Sequence, residues 1–72
     1  MSQKLRRSEV TIRQFAVWCF ERDRDIGQFS DQATFDGLPE PDRDVYLDEA
    51  KEYVDGSLRN NWPLDILNKI QE

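Results

Sequence analysis

Histidine is absent from the 72 residues, and cysteine occurs once, as Cys19. These two shortages remove intramolecular disulfides, Cys/His zinc sites, haem attachment and every nucleophilic triad that relies on an imidazole base. Glycine is scarce too: Gly27, Gly37 and Gly56 lie too far apart to build a phosphate-cradling loop or a dinucleotide fingerprint. No apolar run approaches the roughly 20 residues that a membrane-spanning helix needs, and the basic start MSQKLRRSEV is not followed by the apolar stretch of a secretory leader. The expectation is a cytoplasmic protein with no membrane partner, in which Cys19 is a reduced, buried small residue.

What is present is 38% hydrophobic and 35% charged. That is too apolar for a wholly disordered chain, and the length allows one small domain whose stability rests on a modest core. The net charge of −5 is unevenly laid out. Positions 1–20 set Lys4, Arg6, Arg7 and Arg13 against Glu9 alone, whereas twelve of the acids fall between Glu21 and Asp55 against Arg22, Arg24, Arg43 and Lys51. A field this negative disfavours the middle of the chain as a nucleic-acid platform, because affinity for phosphates rests on lysine and arginine. Only the basic tip offers such contacts, and on a frayed terminus such cations commonly do no more than solubilise.

The apolar spacing predicts an all-α fold: a small bundle of three helices at about 9–25, 40–58 and 63–71, with a packed loop between the first two. Residues 1–7 read as a flexible basic terminus and 8–72 as a single helical domain. Ser8 is placed to cap the first helix, with Thr11 and Gln14 as an alternative start. Ile12, Phe15, Ala16, Cys19 and Phe20 share its core face, Trp18 borders it, and Val10 and Val17 lie off it. Gly27 is a natural stop. Phe29, Phe35 and Leu38 then anchor a loop in which Ser30 or Asp31 caps a short turn that a left-handed Gly37 ends. Pro41 opens the second helix. Its core face is Tyr46, Leu47, Ala50, Tyr53, Val54 and Leu58, and Gly56 offers an earlier end near Asp55. Pro63 starts the third helix, carrying Leu64, Ile66, Leu67 and Ile70.

Carboxylates are the plentiful reactive groups. Asp23, Asp25 and Gly27 imitate the start of a calcium loop, but the remaining ligands and the closing glutamate are missing. Asp42 with Asp44, or Asp44 with Asp48, has chelating spacing but sits on a solvated helix face without the concave setting of a catalytic group. No enzyme activity, cofactor or metal is therefore expected. The more informative feature is a ridge of like charge on the second helix: Asp44/Asp48 and Asp48/Glu52 at i,i+4, continued by Asp55. Each such pair costs a few tenths of a kcal/mol. One reading is a solvated face screened by salt. The other is a surface offered to a basic protein partner, in the manner of a phosphate backbone. Trp18, at the edge of its face, and Trp62, on a turn, are the candidate apolar anchors for that contact.

The segment Phe35-x-x-Leu38-x-x-x-x-Arg43-x-x-Tyr46-x-x-x-Ala50 resembles a pattern in small helical proteins of tailed phages and mobile elements. Other three-helix domains, HMG boxes among them, share part of it, but the basic stripe of a DNA-bending HMG box is missing. The resemblance implies a source, and an accessory or host-directed role, more than an activity. Three functions follow as expectations. The first is a non-enzymatic acidic module that binds a protein, such as a host nucleic-acid-handling factor, through Asp44, Asp48, Glu52, Asp55, Trp18 and Trp62. The second is a structural subunit that self-associates through Val10, Val17, Trp62 and the third helix. The third is a nucleic-acid binder led by Lys4, Arg6, Arg7 and Arg13.

Overall fold

In the computed structural model, which describes residues 4–71, helix α1 runs Ile12–Asp25 and is started by Thr11. Two good capping residues compete here, and burial decides between them. The Gln14 backbone N–H donates to Thr11 Oγ1 at 3.0 Å. With Thr11 as cap, Val10 precedes the cap and Phe15 stands at the fourth helical position, the spacing at which two apolar side chains staple the entry of a helix. Both are buried, Val10 at 5% and Phe15 at 0% exposure. Val10 is therefore a core residue and not a surface apolar, and Ser8 lies instead in a short 3-10 turn, Arg7–Glu9.

The far end of α1 closes as the sequence indicates. The Gly27 N–H donates to the Arg24 carbonyl and the Gln28 N–H to the Asp23 carbonyl, both at 3.0 Å. These are the paired bonds of a Schellman ending, and they require the positive φ of 95° that Gly27 adopts. Gly37, by contrast, has no positive φ, so the left-handed ending expected there is corrected. Thr34 makes the turn: its hydroxyl and its carbonyl each accept from the Gly37 N–H at 3.1 Å. A Cβ on Gly37 would stand 2.9 Å from that hydroxyl, so close approach explains the glycine.

Helix α2 spans Glu40–Val54, with Pro39 at its cap and Glu40 and Asp42 in the first turn facing the positive helix end. It stops short of residue 58 because the chain doubles back: the Gly56 and Leu58 N–H groups both donate to the Glu52 carbonyl at 3.1 Å. Helix α3 is one turn, Leu64–Leu67, where the sequence predicts a helix to 71. A distant contact takes its last residues. Ile70 forms a parallel bridge with Leu5, and the Gln71 N–H donates to the Leu5 carbonyl at 2.7 Å. Leu5 also packs against the core. The segment read as a basic terminus thus contacts the fold through Leu5; Met1, Ser2 and Gln3 lie outside the described residues.

The protein is thus an all-α fold in which α1 packs against α2. Its core has two aromatic centres on α1. Phe15 stacks on Tyr53 and meets Trp62 edge-on, each with ring centroids 4.9 Å apart. Phe20 is surrounded by Phe29, Phe35 and Tyr46 at 5.1 to 6.2 Å. Such pairs add about 0.5 to 1.5 kcal/mol each beyond area burial. The second centre pins the loop between the helices, which Arg24 also holds by donating to the Ala33 carbonyl at 3.0 Å. Ile66, fully buried, brings α3 into the same cluster.

A candidate protein-binding surface

Because Tyr46, Ala50 and Tyr53 face α1 and the core, the helical repeat turns Asp44, Asp48, Glu52 and Asp55 outward. All four are exposed. Among the described residues none of them forms an ion pair, although Lys51 and Arg43 share their helix; the ion pairs are Arg13 with Asp36 and Arg22 with Asp23 and Asp65. Glu52 accepts one long hydrogen bond from Ser57, at 3.4 Å. Glu52 and Asp55 also sit toward the negative end of the helix dipole. Among the described residues, then, no cation lies within ion-pair distance of this row.

The apolar companions of the row are not the tryptophans. Trp18 and Trp62 are only 9% and 7% exposed, so neither ring is presented to a partner, and the expectation of two aromatic anchors is corrected. Trp18 is drawn into the core on α1. The Trp62 indole N–H donates to the Tyr53 carbonyl at 2.7 Å, closing one of the carbonyls that the end of α2 leaves without a helical partner. The exposed large apolars are Ile26, Val45 and Leu64 at 68%, 64% and 78%. Of these Val45 belongs to the acidic face, next to Asp44 and three residues before Asp48. Its signal in the sequence is its absence from the apolar periodicity of its own helix.

The basic residues do not form one platform. Lys4 and Arg6 are exposed. Arg7 is half-buried, with its guanidinium 4.9 Å above the Trp62 ring and donating to the Arg59 carbonyl at 3.1 Å. Arg13 pairs with Asp36 at 2.8 Å and covers the Phe35 ring at 5.4 Å.

Asp23 accepts a 2.6 Å hydrogen bond from the Tyr46 hydroxyl and lies 3.5 Å from Arg22, which also reaches Asp65 at 3.8 Å. This chain ties α1 to α2 and α3 and commits Asp23 to a structural role. Burial, and then the bond to Asp23, push the Tyr46 phenol upward. Beneath them Cys19 is 2% exposed, and burial first raises its thiol to about 11. A thiol held protonated is a poor nucleophile. Among the described residues no cluster of three or more metal-ligating side chains occurs, and no helix is long and apolar enough to cross a membrane.

Among the described residues, clefts lie on either side of the α1–α2 pair. One, of about 280 Å³, is walled by Arg7, Ser8, Tyr53, Asp55, Arg59 and Asn60, with Val10 and Trp62 also lining it. The other, of about 220 Å³, lies between α1 and the 28–38 loop, where Arg13, Arg24, Glu21 and Asp36 balance in charge. Comparison of the chain with protein-family models, curated proteins and solved structures finds no match.

Proposed function

We propose that this protein is a non-enzymatic acidic helical module that binds the basic surface of another protein through the outward face of α2. Asp44, Asp48, Glu52 and Asp55 supply the charge, and Val45 supplies an apolar contact among them. The observation that carries this reading is a row of exposed carboxylates without an ion pair among the described residues. Asp44, Asp48 and Glu52 are four residues apart, about 6 Å along the axis, and Asp55 follows at the C-cap of α2. A cationic groove built for the phosphates of a nucleic acid is the surface such a row fits, and binding would gain from long-range steering. The fitting setting is the cytoplasm of a host in which a phage or mobile element meets a nucleic-acid-handling protein.

The test is affinity capture from nuclease-treated host lysate at low and high salt, with the parent chain beside a D44K/D48K/E52K variant. The reading expects one protein that the parent retains at low salt and releases at high salt, and that the variant fails to hold while its helical circular dichroism stays intact. Equal retention by the folded variant removes the acidic face from the interaction.

Self-association is the second reading, and the exposure of Leu64, Val45 and Ile26 favours it. Its original supports are weakened, because Val10 and Trp62 lie in the core, Val17 packs against it, and Ile66 and Ile70 are buried. Sedimentation equilibrium separates the two, since assembly through these side chains would raise the mass with concentration and survive high salt. The nucleic-acid reading is less favoured, because Arg7 and Arg13 are already engaged within the fold.

A further inference from the structure

Ser8 is left without the capping role that its sequence position suggests, and its surroundings point to another use. It is exposed in the 3-10 turn, and among the described residues its hydroxyl makes no hydrogen bond. It forms part of the wall shared by two clefts, one lined by Arg7, Arg59 and Asn60 and the other by Arg6, Arg7 and Gln71. Arg6 and Arg59 are both exposed, whereas Arg7 is occupied against Trp62 and the Arg59 carbonyl. In sequence Ser8 stands between Arg7 and Glu9, whose carboxylate accepts from the Arg6 backbone N–H at 2.9 Å, and an arginine lines the cleft on each side of the hydroxyl.

We propose that Ser8 is a phosphoryl-acceptor site and that the phosphoserine docks against Arg6 and Arg59. In the transfer, Ser8 Oγ forms a bond to the terminal phosphorus of a nucleoside triphosphate held by a protein kinase in trans. The bond from that phosphorus to the bridging oxygen breaks, the nucleoside diphosphate leaves, and the hydroxyl proton passes to a carboxylate of the kinase. Lys4, Arg6 and Arg7 precede the acceptor directly, and that run of positive charge suits a kinase with an acidic substrate groove. The segment is held by the Leu5–Ile70 bridge, the bond from Gln71, Leu5 packed on the core and Arg7 against Trp62 and the Arg59 carbonyl, so access to Ser8 requires local release of those contacts.

Once formed, the phosphate carries a charge of about −1.5 to −2 and accepts charge-assisted bonds from guanidinium groups. It would stand at the wall shared by the two clefts, with Arg6 lining one and Arg59 and Asp55 the other, adding negative charge beside the end of the α2 row. The inference rests on this cleft and is independent of what α2 binds.

The full chain is incubated with ATP and a purified basophilic serine kinase, and the modified residue is mapped by mass spectrometry. The expected result is one phosphoryl group on Ser8, absent from S8A. Labelling confined to Ser30, Ser57 or another serine, or no labelling while a free peptide of residues 4–12 is labelled, overturns the acceptor assignment. Docking is read by phosphorus NMR. The second ionisation of the phosphoserine should lie at lower pH in the folded protein than in urea, and R59A should move it back toward the urea value. Coincident titrations in the folded and urea-unfolded chains overturn the docking.

Discussion

Trp62 is the side chain whose replacement tests the fold most directly, because three separate contacts meet on it. Its N–H satisfies the Tyr53 carbonyl at 2.7 Å, its edge meets Phe15 at 4.9 Å, and Arg7 covers its face at 4.9 Å. Trp62→Phe keeps an aromatic ring but removes the donor. A half-buried carbonyl left without its partner costs up to the roughly 1 to 3 kcal/mol of a buried one, and the smaller ring gives up about 1 kcal/mol of buried contact. The expected loss is therefore about 2 to 4 kcal/mol. Trp62→Ala adds a cavity and should lose about 3 to 5 kcal/mol or more. Stabilities of about 0.05 to 0.15 kcal/mol per residue put a chain of this length near 4 to 11 kcal/mol, so the alanine variant approaches the limit of folding. Urea unfolding followed by circular dichroism is the assay. With a slope near 1 kcal/mol/M for a small domain, Trp62→Phe should lower the midpoint by about 2 M or more. Leu64→Ala, at an exposed position, is the control and should stay within about 0.5 kcal/mol of the parent. If Trp62→Phe unfolds with the control, the indole is not a structural member of the core, and its reading as a surface anchor returns.

The same assay separates the two candidate caps: Thr11→Ala should cost about 1 kcal/mol, whereas Ser8→Ala should be close to neutral. Tyr46→Phe removes a 2.6 Å bond to the Asp23 carboxylate, and an expected loss of about 1.5 to 3 kcal/mol follows from the charged acceptor. Cys19 should resist a thiol-specific reagent at neutral pH in the native protein and react at once in urea. Its thiol also sets the sign of an alkaline dependence. The unfolded chain ionises near 9.0 and the native one at about 11, so above pH 9 the unfolded state holds fewer protons and stability falls as pH rises. Tyr46, also shifted upward, acts in the same direction from pH 10. A Cys19→Ala variant titrated in parallel by thermal unfolding should lose the part of the decline that begins near 9.

What could be read from the sequence was local, and what could not was contact between distant segments. The core faces of α1 and α2 follow from side chains three and four apart, and Gly27 ends α1 through a motif that needs only the six consecutive residues Asp23 to Gln28. The acidic row is visible for the same reason, since Asp44, Asp48 and Glu52 share one stripe of α2 and Asp55 stands at its C-cap. Ser8 and Thr11 are both favoured cap types in isolation, serine the more so. Only the burial of Val10 beside Phe15 selects the second, and that burial requires α2 to be in place. Likewise 63–71 carries a sound helical pattern, and the sequence has no local sign that Ile70 will leave the helix to pair with Leu5, 65 residues away.

Trp62 shows how such a contact bears on function. The run Asn60-Asn61-Trp62-Pro63 reads as a turn, and a tryptophan on a turn reads as a surface ring. The ring is nevertheless taken inward, because α2 ends at Val54 with carbonyls to satisfy and the turn returns the indole N–H to one of them. In a chain of 72 residues there is too little core for a large aromatic to stay outside without a partner. Sequence alone therefore assigns an interface role to the very side chain that the small core needs most. The carboxylates are the opposite case: burying them would cost several kcal/mol each, so the core cannot absorb them. Their exposure follows from the helix alone, and for that reason the charged half of the proposed surface carries over from sequence to structure while its aromatic half is replaced by Val45.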